Sequence, residues 1–196
     1  MAFHVGEARQ IRALASPVRV VIIDALEAGG PLSIADLGSI LGYPPDGLYY
    51  HLRALERLGL VTRVAAEGNG AARFDVPGRP VTLRYDLADA RCRNATTKLV
   101  STILRRAERS FRRAYAPGRA QADGPHRNLR AGRRTAWLKP GELATLNRAI
   151  ESLHAVFERG RCGRSGARLI ELTYIVAPIE PKGRRQRRRR EGKSPS

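Results

Sequence analysis

Apolar residues recur at helical spacing through the first sixty residues, in short segments separated by glycine and proline. Ser16 and Ser33 precede two of these segments as typical N-cap residues, and glycines follow where helices commonly end. The predicted helices cover residues 9–15, 17–28, 34–42 and 45–58. The apolar stripes of the last three are formed by Val18, Val21, Ile22, Ala25, Leu26, Ile34, Leu37, Ile40, Leu41, Leu48, Leu52 and Leu55.

Two β-prone runs follow the fourth helix, over residues 61–76, and they flank the polar tip Gly68-Asn69-Gly70. Such runs around an Asn-Gly centre predict a hairpin, and residues 81–87 predict one more short strand. A helix, a helix-turn-helix pair and then a hairpin is the order of a winged helix-turn-helix. We therefore expect a mainly α fold with a small β component (α+β), whose first domain spans residues 1–87.

Three strings in this domain carry a family resemblance. They are Leu14-Ala15-Ser16-Pro17-Val18-Arg19, the helix end Leu41-Gly42, and Tyr50-His51-Leu52 leading to Gly59-Leu60-Val61. The chain resembles the ArsR-like winged helix-turn-helix transcriptional regulators. That resemblance implies binding to double-stranded DNA as a homodimer. Metal sensing in such relatives uses paired cysteines before the reading helix, and residues 30–60 hold none, so this property is not carried over.

The predicted reading helix, 45–58, fits the major groove of B-DNA. Its three leucines must face the core, which turns Asp46, Gly47, Tyr49, Tyr50 and Arg53 outward or to the flank. Arg53 can pair with guanine or clamp a phosphate. Tyr50 can donate to a phosphate or lie on a thymine methyl group. His51 matches a family position beside the DNA backbone, which implies a phosphate contact.

Structural roles are open for some of these residues. Asp46 either accepts from cytosine or only favours the helix N-terminus, where a negative charge is stabilised. Tyr49 either faces DNA or packs half-buried against the preceding helix. Gly47 in a helix lowers its stability, and it would let the backbone approach DNA closely.

The wing supplies three further candidates. Arg63 and Arg73 flank the tip that contains Asn69, and this tip is thin enough to enter a minor groove or rest on the backbone. The alternative is that both arginines are solvated on an exposed hairpin.

The second half predicts a helical and α+β region over residues 88–180 and a disordered basic tail over 181–196. Its predicted elements are a helix at 88–115, a loop at 116–132, a strand at 135–138, a helix from Pro140 and a strand at 169–177. The helix from Pro140 has a heptad-like seam of Leu143, Leu146, Ile150, Leu153 and Phe157. We expect the helices to form a dimer interface. The alternative is packing of this region on itself.

Charge is distributed unevenly between the halves. The formal net charge is +18, yet residues 1–90 hold nine basic against ten acidic side chains. The reading domain is therefore nearly neutral. Either the helix around 91–119 and the basic tail supply a non-specific grip on DNA, or binding is modest and depends on the dimer.

Other classes of protein have little support in the sequence. No apolar run approaches the length of a membrane span, no signal peptide is visible, and Cys92 and Cys162 give no disulfide framework. Ser165 lacks a nucleophile-elbow motif, so we expect no enzyme and no cofactor. His4, His126 and His154 form no ligand pattern, so we expect no metal ion. The expected location is the cytoplasm, in association with the nucleoid, with no membrane partner.

An unidentified small-molecule effector is a candidate partner, and the alternative functions are a non-specific nucleic-acid binder and a protein-interaction winged helix.

Overall fold

The computed structural model describes residues 1–64, 71–161 and 166–180. Six helices and five short strands lie within these ranges, and the helices begin and end close to their predicted bounds. In chain order the elements are β1 (Phe3–Val5), α1 (Ala8–Leu14), α2 (Pro17–Gly29), β2 (Leu32–Ser33), α3 (Ile34–Leu41), α4 (Pro45–Arg57), β3 (Thr62–Val64), β4 (Arg73–Asp75), β5 (Val81–Leu83), α5 (Ala90–Ala114) and α6 (Pro140–Arg159).

The core forms where the apolar stripes of α1 to α4 meet. Ile22, Leu26, Leu37, Leu48 and Leu52 are completely buried there. One expectation is wrong, because Ile40 keeps 51% of its surface exposed. The helix α3 is only two turns long and has one fully buried position, Leu37, so Ile40 falls on its flank.

The turn between α3 and α4 is specified locally. Ser33 accepts from the Asp36 N–H, while the Asp36 carboxylate accepts from the Ser33 N–H, which completes a capping box. At the other end Gly42 adopts φ 70°, a left-handed conformation that glycine takes without strain. A Cβ at Gly38 would lie 3.0 Å from the Tyr43 carbonyl oxygen. These residues set the angle at which α4 leaves α3.

The wing is an antiparallel sheet in the order β2-β4-β3. Phe74 of β4 is opposite Leu32 in one neighbour and Arg63 in the other, and its side chain is buried beneath the helices. Residues 65–70 fall outside the described ranges. The sheet thus fixes the base of the predicted hairpin to the helix-turn-helix.

A second contact between distant segments was not predicted. The N-terminal strand β1 pairs in parallel with β5, with Phe3 opposite Val81 and Val5 opposite Leu83. The helix α5 then packs on α1, where it buries Cys92 and Leu99. Thr102, also buried, donates its hydroxyl to the Ala15 carbonyl. The core of the winged helix therefore continues past residue 87 into the first half of α5.

The region after α5 is mostly exposed. The predicted strands at 135–138 and 169–177 are wrong for the single chain, because these residues have no regular secondary structure and find no strand to pair with among the described residues. Ser110 donates to Glu171, and His154 hydrogen-bonds the Tyr174 hydroxyl at 2.6 Å, so polar side chains hold 166–180 against α5 and α6. The predicted seam of α6 buries none of its side chains within the chain.

Taken together, the elements form an α+β winged helix fold, as the sequence predicts. Within the described ranges, every helix is too short or too polar to cross a membrane.

Candidate nucleic-acid interface

The orientation of α4 is set by its leucines. Leu48, Leu52 and Leu55 have no accessible surface, because their stripe lies against α2 and α3. Pro45 begins the helix with its φ already suited to a first turn. The opposite side of α4 therefore faces solvent along its whole length.

That outward side carries five of the predicted site residues, Asp46, Gly47, Tyr49, Tyr50 and Arg53, all of them exposed. Tyr50 keeps 65% of its surface accessible and Tyr49 keeps 44%. The Arg53 guanidinium carbon is 5.6 Å from the centre of the Tyr49 ring, within the range of a cation–π contact. Tyr49 thus supports Arg53 at the surface instead of packing into the core.

His51 lies on the flank of α4, half-buried against α2. Its ring meets the Tyr50 ring edge-on, with centroids 5.4 Å apart. Burial lowers the pKa of His51, and the positive charge of Arg19 lowers it further. The imidazole is therefore disposed to be neutral in the free protein.

In the wing, Arg63 and Arg73 are exposed but have protein partners. Arg63 lies 2.8 Å from the Glu56 carboxylate and over the Phe74 ring. Arg73 donates to the Pro31 carbonyl at 3.0 Å. Asn69, the third predicted wing residue, lies outside the described residues. Both side chains remain exposed on the hairpin, so a DNA contact by Arg63 and Arg73 stays a prediction.

Two basic residues beside α4 were missed by sequence reasoning. Arg57 follows Arg53 by one helical turn and is exposed like it, and this spacing was a signal available in the sequence. Arg19 belongs to α2 and approaches His51 only in the folded chain. Nothing in the local sequence could show that meeting.

The carboxylates of the first half are engaged by other groups. Among residues 1–64 and 71–90, Asp46 is the one acidic side chain without a hydrogen bond or ion pair. The engaged pairs are Glu7 with Arg9, Asp24 with Arg106, Glu27 with the Val81 N–H, Asp36 with Ser33, Glu56 with Arg63, Asp75 with Arg79, Asp86 with the Ala88 N–H, and Asp89 with the Arg91 N–H. The charged side chains that α4 presents outward are Arg53 and Arg57 against Asp46, so this face has an excess of basic groups although the domain is nearly neutral.

One family model matches the part of the chain that contains α4. Residues 14–64 match the family model described as "Helix-turn-helix domain". The match begins in α1, includes α2 to α4 and ends with β3. It covers the elements that carry most of the candidate residues and supports DNA-binding transcriptional regulation.

Solved structures of regulators are similar at a low level. A MarR family protein from Bacillus stearothermophilus has 16% identity and a TM-score of 0.30, over 72% of this chain and 74% of that one. The multiple antibiotic-resistance repressor MarR from Listeria monocytogenes has 12% identity and a TM-score of 0.29, over 76% and 84%. Similarity at these TM-scores carries no argument about function. The comparison with curated proteins found no significant match.

Proposed function

We propose that this protein is a transcriptional regulator that binds specific sequences of double-stranded DNA as a homodimer. One observation carries the proposal: α4 turns its leucines into the core and presents Tyr50, Arg53 and Arg57 outward with no protein element over them. This is the arrangement that a reading helix needs in the major groove. The protein is a binding protein and not an enzyme, and it belongs to the ArsR-like branch by its Tyr50-His51-Leu52 string.

In the proposed complex each outward residue of α4 has its own role in binding DNA. Arg53 pairs with a guanine edge, since its planar guanidinium matches two acceptors at once. Tyr50 donates its hydroxyl to a phosphate or covers a thymine methyl group. Tyr49 supports Arg53 from the side, and Gly47 allows the first turn to approach DNA closely. Asp46 accepts from a cytosine or stabilises the helix N-terminus.

The wing, residues 61–76, contacts the backbone or the minor groove. Arg63 and Arg73 lie at the base of the hairpin, and Asn69 belongs to its tip. The Glu56–Arg63 pair ties the wing to α4, so both elements meet DNA in a fixed relation. Arginines that contact the DNA backbone, as proposed for Arg63 and Arg73, contribute to affinity more than to the choice of bases.

Non-specific affinity comes from the second half of the chain. The helix α5 exposes a series of arginines, and residues 181–196 add eight basic side chains against one acidic side chain. Each neutralised phosphate releases counterions, which favours binding to any duplex. The choice of DNA sequence then depends on α4 and the wing.

The homodimer forms through α6 and residues 166–180. Leu143, Leu153, Val156 and Phe157 of α6 are 41–55% exposed, and Leu172 and Val176 are similarly uncovered. Apolar stripes of this extent are uncommon on the surface of a monomer. A second copy supplies a matching stripe, and its segment 166–180 supplies the unpaired backbone that a strand would need. A two-fold dimer also presents two copies of α4 at the spacing of a palindromic site.

A small-molecule effector is part of the proposal, and its chemistry is open. A cleft of about 250 Å³ between α1 and α5 is lined by Arg12, Arg91, Asn94, Ala95 and Lys98, a set that suits an anionic compound. The proposed location is the cytoplasm, on the nucleoid.

Selection of bound sequences from a random duplex library tests the function. We expect a palindromic motif with half-sites about one helical turn apart, retained in excess random DNA. A non-specific nucleic-acid binder would enrich no motif and would lose its binding to random competitor. A protein-interaction winged helix would retain no duplex at all.

A further inference from the structure

The helices α1 and α5 enclose a groove made of two adjoining clefts. The first cleft, of about 250 Å³, is the one lined by Arg12, Arg91, Asn94, Ala95 and Lys98. The second has a volume of about 340 Å³, and Lys98 lines it as well, together with the Ser101 hydroxyl and Arg105. Because the two clefts share Lys98, they form one continuous groove with the volume of a small-molecule site.

The spacing of basic residues on α5 produces this groove. Arg91, Lys98 and Arg105 follow one another at intervals of seven residues, or two helical turns, so they lie on one flank of the helix about 10 Å apart. The residues one position after the first two, Cys92 and Leu99, are buried against α1. A row of cations therefore follows the edge of the buried seam between the two helices.

This row of cations lacks counter-ions. Among the residues that the structure describes, no carboxylate lines either cleft. The side chains of Arg12, Arg91 and Lys98 form no hydrogen bond or ion pair in the same ranges. Asp89 caps α5 by accepting from the Arg91 backbone N–H, and Arg105 donates to a neutral hydroxyl at 3.5 Å. Four cations along one groove give it a positive potential that an anionic ligand would neutralise.

The short helix α1 connects the groove to the reading helix. Arg12 of α1 lines the groove, and Gln10, two residues earlier, donates its side-chain amide to the Leu58 carbonyl at 3.0 Å. Leu58 is the C-cap residue of α4. At the other end of α1 the Ala15 carbonyl accepts from the hydroxyl of Thr102 in α5. A ligand held between Arg12 and α5 therefore acts on the element that holds the end of α4.

We propose that the groove between α1 and α5 binds a small polyanion, with two or more phosphate or carboxylate groups, and that this binding is coupled to the reading helix through α1. This inference rests on the proposed function, for which it names the class of effector and the route of its action. Guanidinium groups match phosphate and carboxylate oxygens, and Asn94 and Ser101 add neutral donors. A ligand with one negative charge would leave most of the four cations unpaired, so the groove favours several.

The first measurement titrates the full chain with inorganic tripolyphosphate and with inorganic phosphate at one ionic strength. The backbone amide signal of Asn94 in NMR spectra reports on the groove separately from the basic tail. We expect tripolyphosphate to shift this signal with at least tenfold higher affinity than phosphate.

Two lysine variants test where the probe binds. Lys98→Gln should weaken tripolyphosphate binding at Asn94 by about tenfold or more, because a charged hydrogen bond is lost. Lys139→Gln removes an equal exposed charge just before α6 and should leave this affinity unchanged. If the Asn94 signal does not respond to tripolyphosphate, or if both variants respond alike, the inference is wrong, and selection of a duplex would still leave the proposed function standing.

The second measurement compares the Kd for the selected duplex with and without saturating tripolyphosphate. We expect a change of about fivefold or more, and we expect Gln10→Ala to remove most of it while the Asn94 signal still reports binding of the probe. Thermal unfolding verifies that this variant is folded. An equal change in Gln10→Ala would mean that the polyanion competes with DNA for the basic surface, and the coupling would be wrong. If the groove binds tripolyphosphate but no duplex is selected, the anion site stands and the proposed function fails.

Discussion

Arg63 of the wing lies with its Nε 2.8 Å from the carboxylate of Glu56 in α4, so the hairpin and the reading helix are joined by an ion pair. Both side chains are partly exposed, at 48% and 32%, and such surface pairs contribute roughly 0–1 kcal/mol to folding. In the proposed complex the pair affects DNA binding more than folding stability, because Glu56 places a negative charge beside an arginine of the wing.

Glu56→Gln should tighten binding to all duplexes. The substitution releases Arg63 and removes a charge that repels phosphate, and one additional phosphate contact steepens the slope of log K against log salt by about 0.9. Fluorescence anisotropy at several salt concentrations measures this slope. Glu7→Gln, at the exposed pair with Arg9 at the start of α1, is the matched control. An unchanged slope would mean that Arg63 does not reach the backbone.

Arg53→Ala should abolish discrimination at the base pair that Arg53 contacts in the proposed complex. A bidentate contact to a base contributes about 1–3 kcal/mol of selectivity, so the preference at one base pair should relax by about one to two orders of magnitude. Binding to the selected duplex and to single-base variants measures this loss. Deleting residues 182–196 should instead weaken binding to every duplex alike and lower the salt slope. The reverse result would contradict the assigned roles.

Gly47→Ala should raise the stability of the protein and lower its affinity for DNA. A Cβ at Gly47 would meet only the Pro44 ring at 3.8 Å, an ordinary contact. Alanine in a helix is better than glycine by about 0.5–1 kcal/mol, so the melting temperature should rise. Affinity for the selected duplex should nevertheless fall, if the backbone approaches DNA there.

Gly42→Ala is the contrasting variant. Its position requires φ 70°, so alanine should destabilise the protein by about 1 kcal/mol. Denaturant unfolding measures both changes. A Gly47→Ala protein with unchanged affinity would show that this turn does not approach the duplex.

Asp24 should make stability depend on pH. Although its side chain is 52% accessible, loss of solvation beneath α5 and residues 166–180 raises its pKa to about 7, against the opposing charge of Arg106. The folded chain therefore binds a proton that the unfolded chain releases near pH 4. This stabilising contribution is complete below about pH 4 and is lost as the pH rises through about 7.

Asp24→Asn tests that dependence. The melting temperature of the natural chain should fall between about pH 4 and pH 7, while that of the variant should fall less. Circular dichroism on heating gives both values. Equal pH dependence in the two proteins would show that another group is responsible.

Leu153→Glu should convert the proposed homodimer to a monomer. Leu153 is 45% exposed in the single chain, so a carboxylate there is tolerated in the monomer but would be buried in the dimer. Sedimentation equilibrium measures the mass, with Ala155→Glu, at an exposed position on the opposite side of α6, as the control. If the natural chain sediments as a monomer, dimerisation through α6 is wrong.

The local pattern of the sequence was sufficient for the helices of the reading domain and for the outward side of α4. Leu48, Leu52 and Leu55 recur at helical spacing, and burying them leaves one orientation for Tyr50 and Arg53. Periodicity was less informative where an apolar stripe meets no partner within the chain. Tyr115 at the end of the α5 stripe is 70% exposed, and the strands predicted at 135–138 and 169–177 do not form. A strand forms only when it pairs with a neighbouring strand, and the local sequence does not show which segment would provide that pairing.

The sequence by itself determined the winged helix-turn-helix and the residues that α4 presents, because helix periodicity, caps and turn glycines act over a few neighbouring residues. The tertiary structure alone decided which distant groups meet. It paired β1 with β5, brought Arg19 to His51, and set Arg63 against Glu56. It also left Arg53 and Arg57 outward against Asp46 on α4 while Glu56 pairs with Arg63, so the reading helix presents an excess of basic groups in a nearly neutral domain. Such distribution of charge depends on distances through space, and the order of residues along the chain does not contain it.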